Sequence, residues 1–279
     1  MNETNTLTKL KDMAEIDVTK FLEDCSSLRP KTLILDDLRW KYLVRSVLRG
    51  KNVMMVGPAR CGKTKAAQAI ADIFSEVKTE IMTEEELKIL KNNRNVFVLK
   101  EEQCKVTYKI NHRPFFVFNC GSSQDARAFL VGNTFFKKET GTLFCGSEFV
   151  RAIQTPNAII LLDEMSRLSH DGTNILMPVL DPSQRTLRLD ESEESSVVRV
   201  AEGVTFIATA NIGNEYTATR QMDKALTLRF PTCIEMQLLN EEQEMTLLDA
   251  LYPAISDEVK VLYRRICKIA EHTRMQARK

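Results

Sequence analysis

The sequence is short of several residue types that mark particular classes of protein. It has one Trp, three His, 10 Gly and 8 Pro among 279 residues. Gly and Pro together make up about half of the usual share of about 12%, which disfavours a turn-rich all-β fold and favours helices. Apolar runs such as 158–162 are far too short to cross a bilayer, so we expect no membrane contact.

An excess of one charge is also missing. Lys and Arg number 39 and Asp and Glu number 38, giving a net charge of +1, so no overall field attracts nucleic acid or an anionic membrane. Apolar residues at 43% and charged residues at 28% exclude a wholly disordered chain. The length suits one large domain, or a core domain with a small appendage.

Cysteine is present but lacks the spacing of a metal site. The seven Cys include no C-x-x-C pair, and the three His are scattered, which argues against a zinc site or a disulfide framework. Residues 1–5 lack the pattern of a signal peptide. We therefore expect a cytoplasmic protein whose cysteines, Cys61 excepted, are buried small apolar residues.

Hydrophobic periodicity predicts strands that alternate with helices. Continuous apolar runs predict buried strands at 53–56, 115–118, 158–162 and 204–208, and the helical spacing predicts helices at 7–24, 36–49, 63–74, 83–91, 240–251 and 257–273. Polar alternation at 96–100 and 105–110 predicts a β-hairpin within an insertion. The pattern predicts an α/β fold with a parallel sheet flanked by helices.

A phosphate-binding motif follows the first predicted strand. The motif G-x-x-x-x-G-K-[ST] is matched by Gly57, Pro58, Ala59, Arg60, Cys61, Gly62, Lys63 and Thr64. Such a loop wraps backbone N–H groups around phosphate, and the following helix adds its positive N-terminus. We expect Lys63 to neutralise the terminal phosphates of ATP and the Thr64 hydroxyl to bind Mg²⁺.

Polar residues end two of the other predicted strands. Asp163 and Glu164 follow the apolar run 158–162, and Asn211 follows the run 204–208. Beside a phosphate loop, Asp163 is expected to hold Mg²⁺ and Glu164 to activate the attacking water. Asn211 is expected to orient that water.

These motifs resemble those of the AAA+ ATPases, in particular the MoxR-type, dynein-related branch that includes CobS-like proteins. The resemblance covers roughly residues 31–239 and includes the segment 216–230, whose Arg-Phe ending resembles the family's arginine finger. It implies that Arg229 reaches the ATP of a neighbouring subunit, with Arg220 as a weaker candidate. It also implies a homo-oligomeric ring, a hexamer, that remodels a protein beside a von Willebrand factor A-type partner.

The resemblance also predicts the domain organisation. We expect an N-terminal helical segment at 1–30, a nucleotide-binding core at 31–237 with an insertion at 76–113, and a short helical lid at 238–279. Arg60 stands where many family members have Gly. We expect this lid to be shorter than the family's, and no residue in it is assigned the role of a nucleotide-sensing arginine.

Two loops suggest how a partner is contacted, and they leave alternatives open. The segment 133–144 contains Phe135, Phe136, Lys137 and Lys138, which could grip a polypeptide or stack on bases. The acidic stretch 190–194 would repel a phosphate backbone. The alternatives are a DNA-directed motor, which Lys105, Lys109 and Arg113 would support, and a non-motor nucleotide-dependent assembly scaffold, which the short lid would support.

Overall fold

The computed structural model describes residues 25–92, 96–102, 105–121, 125–137, 141–189, 197–211, 223–254 and 256–277. The helix expected at 7–24, the acidic stretch 190–194, Lys138 and Arg220 lie outside these residues. Among the described residues, no helix is both long and apolar enough to cross a membrane.

The elements follow one another along the chain as helices and short strands. The helices are α1 (Asp37–Leu48), α2 (Lys63–Ile73), α3 (Glu84–Lys91), α4 (Ala126–Leu130), α5 (Glu148–Ile153), α6 (His170–Leu180), α7 (Lys224–Thr227), α8 (Glu241–Leu251) and α9 (Asp257–Ala277), with a 3₁₀ turn at Met165–Arg167. The strands are β1 (Val53–Gly57), β2 (Ser75–Ile81), β3 (Val96–Glu102), β4 (Lys105–Asn111), β5 (Phe115–Asn119), β6 (Gly132–Lys137), β7 (Gly141–Gly146), β8 (Ile159–Asp163), β9 (Thr186–Arg188), β10 (Val197–Arg199), β11 (Thr205–Asn211) and β12 (Thr232–Glu235).

Five parallel strands form the central sheet in the order β12-β1-β11-β8-β5. Gly57 is level with Asn211, and Asn119 is level with Asp163. The polar residues therefore lie side by side along one edge of the sheet, the edge formed by the carboxyl ends of its strands. This arrangement confirms the expected α/β fold with a parallel sheet flanked by helices. Strand β11 lies between β1 and β8, so residues distant in sequence meet at this edge.

Apolar side chains on the two faces of the sheet enter two separate cores. Met54, Ile160 and Phe206 pack in one core, and their chain neighbours Met55, Leu161 and Ile207 pack in the other. Because both faces are covered, β1, β8 and β11 are buried at almost every position rather than at alternate ones. Each such side chain contributes about 1.5–3 kcal/mol on burial.

A buried arginine joins the loops at the opposite edge of the sheet, the edge formed by the amino ends of its strands. Arg113 is 2% exposed and donates to the carbonyl oxygens of Val47, Asn157 and Gly203 at 2.8–3.0 Å and to the Thr205 hydroxyl at 3.0 Å. Burial lowers the pKa of its guanidinium to about 10. Arg113 is therefore a structural residue, and the expectation that it could contact DNA is wrong because its side chain is inaccessible.

The insertion is a three-stranded antiparallel sheet in the order β2-β4-β3, with α3 between β2 and β3 in sequence. A capping box formed by Thr83 and Glu86 starts α3. Lys109 forms an ion pair with Asp72 of α2, so its charge is neutralised within the chain. The predicted hairpin is confirmed; β2, a strand in which charged residues alternate with uncharged ones, was not predicted.

Two further hairpins and a helical pair complete the structure. Strands β6 and β7 pair antiparallel, as do β9 and β10. Helices α8 and α9 pack together, and Arg274 pairs with Glu244 at 2.9 Å and donates to the Leu239 carbonyl at 3.0 Å. Arg274 thereby fastens α9 to the start of α8.

Candidate functional site

The phosphate loop spans the turn between β1 and α2, as its sequence predicts. The Lys63 side chain, 7% exposed, folds back over the loop and donates to the carbonyl oxygens of Gly57 and Pro58 at 3.0 and 2.6 Å. Gly62 is the N-cap of α2 and brings no side chain to it. The first N–H groups of α2 therefore lack a side-chain acceptor from the N-cap, which is the arrangement that suits an anion.

The backbone of the loop is tightly confined. A Cβ at Gly57 would lie 2.2 Å from the Met236 carbonyl oxygen, so no larger residue fits where the loop leaves β1. Arg60 adopts φ 63°, a left-handed conformation that costs a non-glycine residue on the order of 1–2 kcal/mol. The Arg60 side chain is exposed beside the loop.

Cysteine exposure differs from the expectation. Cys61 is buried in the core beneath the loop, and its sulfur lies 3.7 Å from the Lys63 amine. Cys145 and Cys233 are exposed instead. The prediction that Cys61 alone would not be a buried apolar residue is therefore wrong: its side chain fills the space under the loop and packs with the apolar residues of that core.

The structure brings Thr64 and Asp163 together across 99 residues of sequence. The Thr64 hydroxyl donates to both carboxylate oxygens of Asp163, at 3.3 and 3.2 Å. The Thr209 hydroxyl donates to Asp163 as well. Sequence reasoning missed Thr209, although it stands two residues before Asn211, on the same side of β11.

The Glu164 carboxylate has different partners from that of Asp163. Glu164 adopts φ 54°, and its carboxylate pairs with Arg167 at 3.2 Å. A Cβ at Gly121 would lie 2.5 Å from a Glu164 carboxylate oxygen, so the absence of a side chain there makes room for the acid. Neither the contact of Arg167 with Glu164 nor the role of Gly121 was predicted.

Two asparagines end the strands beside these acids. Asn211 is level with Gly57 at the end of β11, and Asn119 is level with Asp163 at the end of β5. The Asn119 side chain accepts a hydrogen bond from the Gly121 N–H at 2.9 Å. The edge therefore presents amide, carboxylate, hydroxyl and ammonium groups around one loop.

Arg229 lies apart from this group. It precedes β12 and lies at the edge formed by the amino ends of the strands. There its carbonyl accepts a hydrogen bond from the Asn52 side chain at 3.1 Å. Its guanidinium pairs with Asp181 at 2.8 Å. The length of a strand, about 3.3 Å per residue, separates it from the phosphate loop of its own chain.

The donor set fits a nucleotide with a magnesium ion. Mg²⁺ prefers hard oxygen ligands, usually one or two carboxylates together with phosphate. The hydroxyl of Thr64 and the carboxylate of Asp163 are such ligands and already lie within hydrogen-bond distance of each other. Across the described parts of the chain, no cluster of three or more His, Cys, Asp and Glu residues forms an all-protein metal site.

The parallel sheet and this edge resemble a phosphate-loop domain of the AAA+ type. Residues 105–230 match the family described as "AAA domain (dynein-related subfamily)", a range that begins after the phosphate loop and includes Asp163, Glu164, Asn211 and Arg229. The expected resemblance to dynein-related AAA+ proteins is confirmed.

A curated relative supports the same class. A protein of Thauera aromatica described as "Putative chaperone BssE" is 28% identical to this chain over 172 residues. The match covers 56% of this chain and 58% of that protein. The chain thus spans less than two thirds of the length of the relative that it matches.

Proposed function

We propose that the protein binds and hydrolyses ATP, and that it acts in a ring to remodel a protein partner, as a chaperone does. The observation that carries the proposal is the contact of Thr64 with Asp163 beneath the lysine-bearing loop. Two residues 99 positions apart converge there on the donor set that a magnesium nucleotide requires.

Each residue of the edge has a role in this proposal. Residues 57–64 hold the phosphates, Lys63 neutralises the terminal phosphates, and Thr64 and Asp163 hold Mg²⁺, which supplies charge neutralisation when bound. Glu164 accepts the proton of the attacking water. Asn211, beside the loop and level with Gly57, orients that water.

The ring is proposed from the location of Arg229. It lies at the edge opposite its own phosphate loop, so it would serve the ATP of a neighbouring copy, as a trans arginine finger does. Helix α9 also exposes Leu262, Ile266 and Ile269, an apolar stripe at helical spacing. A second copy, in a hexamer, would cover part of this stripe.

The protein partner is proposed from the β6–β7 hairpin. Phe135 and Phe136 are exposed, Phe136 by 75%, and Leu143 beside them is exposed as well. An exposed aromatic hairpin suits a polypeptide, and the relative from Thauera aromatica carries a chaperone description. A von Willebrand factor A-type protein is a further partner that we propose from the family resemblance.

The compartment and the division of the chain belong to the same proposal. We assign the protein to the cytoplasm, since each cysteine of the described ranges is a free thiol. Residues 31–237 would form the nucleotide-binding core with its insertion at 76–113. Residues 238–279 would form the helical lid, and residues 1–30 an N-terminal segment.

Two substitutions separate binding of ATP from its hydrolysis. Lys63→Ala removes the cation that neutralises phosphate, so ATP affinity should fall by at least tenfold. Glu164→Gln keeps the size of the side chain and one acceptor oxygen but removes the base, so affinity should persist while turnover falls by about 10²-fold or more. Equilibrium nucleotide binding and phosphate release measure the two effects.

A matched capture experiment tests the chaperone proposal. Glu164→Gln should retain a protein partner in the presence of ATP, and the same variant carrying Phe136→Ser should retain much less. Wild-type turnover in Glu164→Gln would contradict the assignment of the base. Equal capture with and without Phe136 would contradict the role of the hairpin.

A further inference from the structure

We propose that Thr209 is the positioning residue of the catalytic edge, and that its hydroxyl holds the side chain of one acidic residue and the backbone of the next at once. The inference rests on the proposed function, which assigns Asp163 and Glu164 their roles. Thr209 lies in β11, is 1% exposed, and belongs to neither the phosphate loop nor the acidic strand end. Its hydroxyl makes hydrogen bonds to both acidic residues.

The direction of these two hydrogen bonds is determined by chemistry. The Glu164 backbone N–H is a donor, so at 2.9 Å the Thr209 oxygen must accept from it. The single hydroxyl proton is then free to donate to Asp163 Oδ1 at 2.5 Å. Thr209 thus uses its donor on the side chain of one acid and an acceptor lone pair on the backbone of the next.

The hydrogen bond to Glu164 holds a strained turn. Glu164 has φ 54° and ψ 39°, the left-handed conformation that is unfavourable for residues with a side chain. Such a conformation persists where the surroundings enforce it. The buried Thr209 oxygen helps to enforce it, because a change of this backbone conformation would leave the Glu164 N–H without its acceptor.

At this turn the two adjacent carboxylates have separate partners. Asp163 faces Thr64 across the loop, while Glu164 faces Gly121 and pairs with Arg167. If the strand simply continued, the two side chains would point to opposite faces of the sheet, and no contact would fix the distance between their carboxylates. The Thr209 hydroxyl therefore sets the geometry that lets one acid hold the metal and the other reach water.

Thr209→Val tests the hydroxyl at nearly constant shape. In this variant the Glu164 amide should exchange its hydrogen at least tenfold faster in the nucleotide-free protein. Turnover should fall by on the order of 10- to 100-fold, the usual effect of removing a group that orients a metal ligand. The Mg²⁺ concentration that gives half-maximal ATP binding should rise, and ATP affinity without Mg²⁺ should stay within about twofold.

The chain supplies a matched control in the same strand. Thr205 lies four residues before Thr209, on the same side of β11, and is 0% exposed. Its hydroxyl accepts a hydrogen bond from Arg113. Thr205→Val removes a buried hydroxyl too, so it should lower stability without changing turnover per folded molecule. Thr209→Ser keeps the hydroxyl and should restore the wild-type Mg²⁺ dependence and at least half of the turnover.

The outcomes separate this inference from the proposed function. Unchanged Glu164 exchange and Mg²⁺ dependence in Thr209→Val would overturn the inference, and so would a serine variant as impaired as the valine variant. If the valine variant does not fold, Thr209→Ala removes the same hydroxyl and is judged by the same two measurements. If Glu164→Gln removed no ATP hydrolysis from the wild-type protein, the proposed function would be refuted instead. The amide exchange of Glu164 would still test the role of Thr209.

Discussion

At the scale of single residues, Arg60 is one of the described non-glycine residues whose φ is positive. Its φ of 63° lies in the left-handed region, where a Cβ is strained, yet a large side chain stands there, exposed at the turn of the loop. The loop thus carries an additional cation at a conformational cost. The cost and the charge are separable by mutation.

Arg60→Gly should increase the free energy of unfolding. Relief of the left-handed strain, about 1–2 kcal/mol, exceeds the entropy that glycine adds to the unfolded chain, so a net gain of roughly 0.5–1 kcal/mol is expected. ATP affinity should fall at low salt, since a cation beside the phosphates is lost. Urea denaturation and nucleotide titration at two ionic strengths measure both effects.

Ala59→Gly is the control for that substitution. Ala59 is not among the residues with positive φ, so glycine there relieves no strain and should lower stability by about 0.4–1 kcal/mol. If both glycine variants changed stability in the same direction, the strain at Arg60 would not be the cause.

At the scale of elements, α6 connects the edge that carries Asp163 and Glu164 with Arg229. The helix begins after Ser169, whose hydroxyl accepts from the Gly172 N–H, and ends at Asp181. Asp181 accepts from the hydroxyl and backbone N–H of Ser183 and pairs with Arg229. One helix therefore spans the sheet from the acidic strand end to the expected finger.

The acidic limit of this contact follows from the pKa of Asp181. Hydrogen bonds from Ser183, and then the charge of Arg229, hold that pKa below its ordinary value. A depressed carboxyl pKa contributes stability that is present above the ordinary pKa and is lost as the pH falls through the folded value. The contact with Arg229 should therefore persist at neutral pH and break only in strong acid.

Ser183→Ala should raise the Asp181 pKa toward its ordinary value, because the largest stabilising contact of the carboxylate is removed. Carbon-detected NMR titration of the carboxyl group measures the change. Ser169→Ala, at the other end of α6, should cost about 1 kcal/mol of stability and leave the Asp181 pKa unchanged. A Ser183→Ala variant with an unshifted pKa would contradict this account.

The elements with strong patterns were predictable from the sequence. The run 53–56 is apolar throughout and becomes β1, and the helix expected at 36–49 appears as α1 with Asp36 as its N-cap. Strand β12 escaped prediction because it is four residues long and only Ile234 in it is buried. Its place in the sheet comes from pairing with β1, which local sequence does not express.

The site was predictable where a motif fixes local geometry and unpredictable where the fold joins distant strands. The loop around Lys63 follows from its own eight residues. The contacts that Thr209 and Gly121 make with the two acids depend on which strands are neighbours and in what register. The exposure of cysteines failed for the same reason, since burial is decided by packing from elsewhere in the chain.

At the scale of the whole molecule, the separation of Arg229 from its own phosphate loop has a testable consequence for assembly. A finger that serves a neighbour leaves a single chain inactive, so turnover per chain should rise with protein concentration. Arg229→Ala should lose at least 10²-fold in turnover and keep ATP affinity within about twofold. Turnover assays across a dilution series, with mass measurements at each concentration, test this expectation.

Mixing variants tests the trans arrangement directly. Arg229→Ala and Lys63→Ala chains are each expected to be inactive alone. In a mixed ring, an intact loop from one variant meets an intact finger from the other, so part of the activity should return. Absence of any recovery in verified mixed rings would refute the trans assignment.

The carbonyl oxygens around Arg113 make the edge far from the phosphate loop independent of the ionisation of carboxylates. All of its described hydrogen bonds go to uncharged oxygens, those of Val47, Asn157, Gly203 and a threonine hydroxyl. Acid that protonates carboxylates has nothing to neutralise at this joint, and with a pKa of about 10 the guanidinium stays charged through neutral pH. The Arg113 guanidinium therefore acts as a cation that holds these loops together and that cannot dissociate, because it is part of the chain.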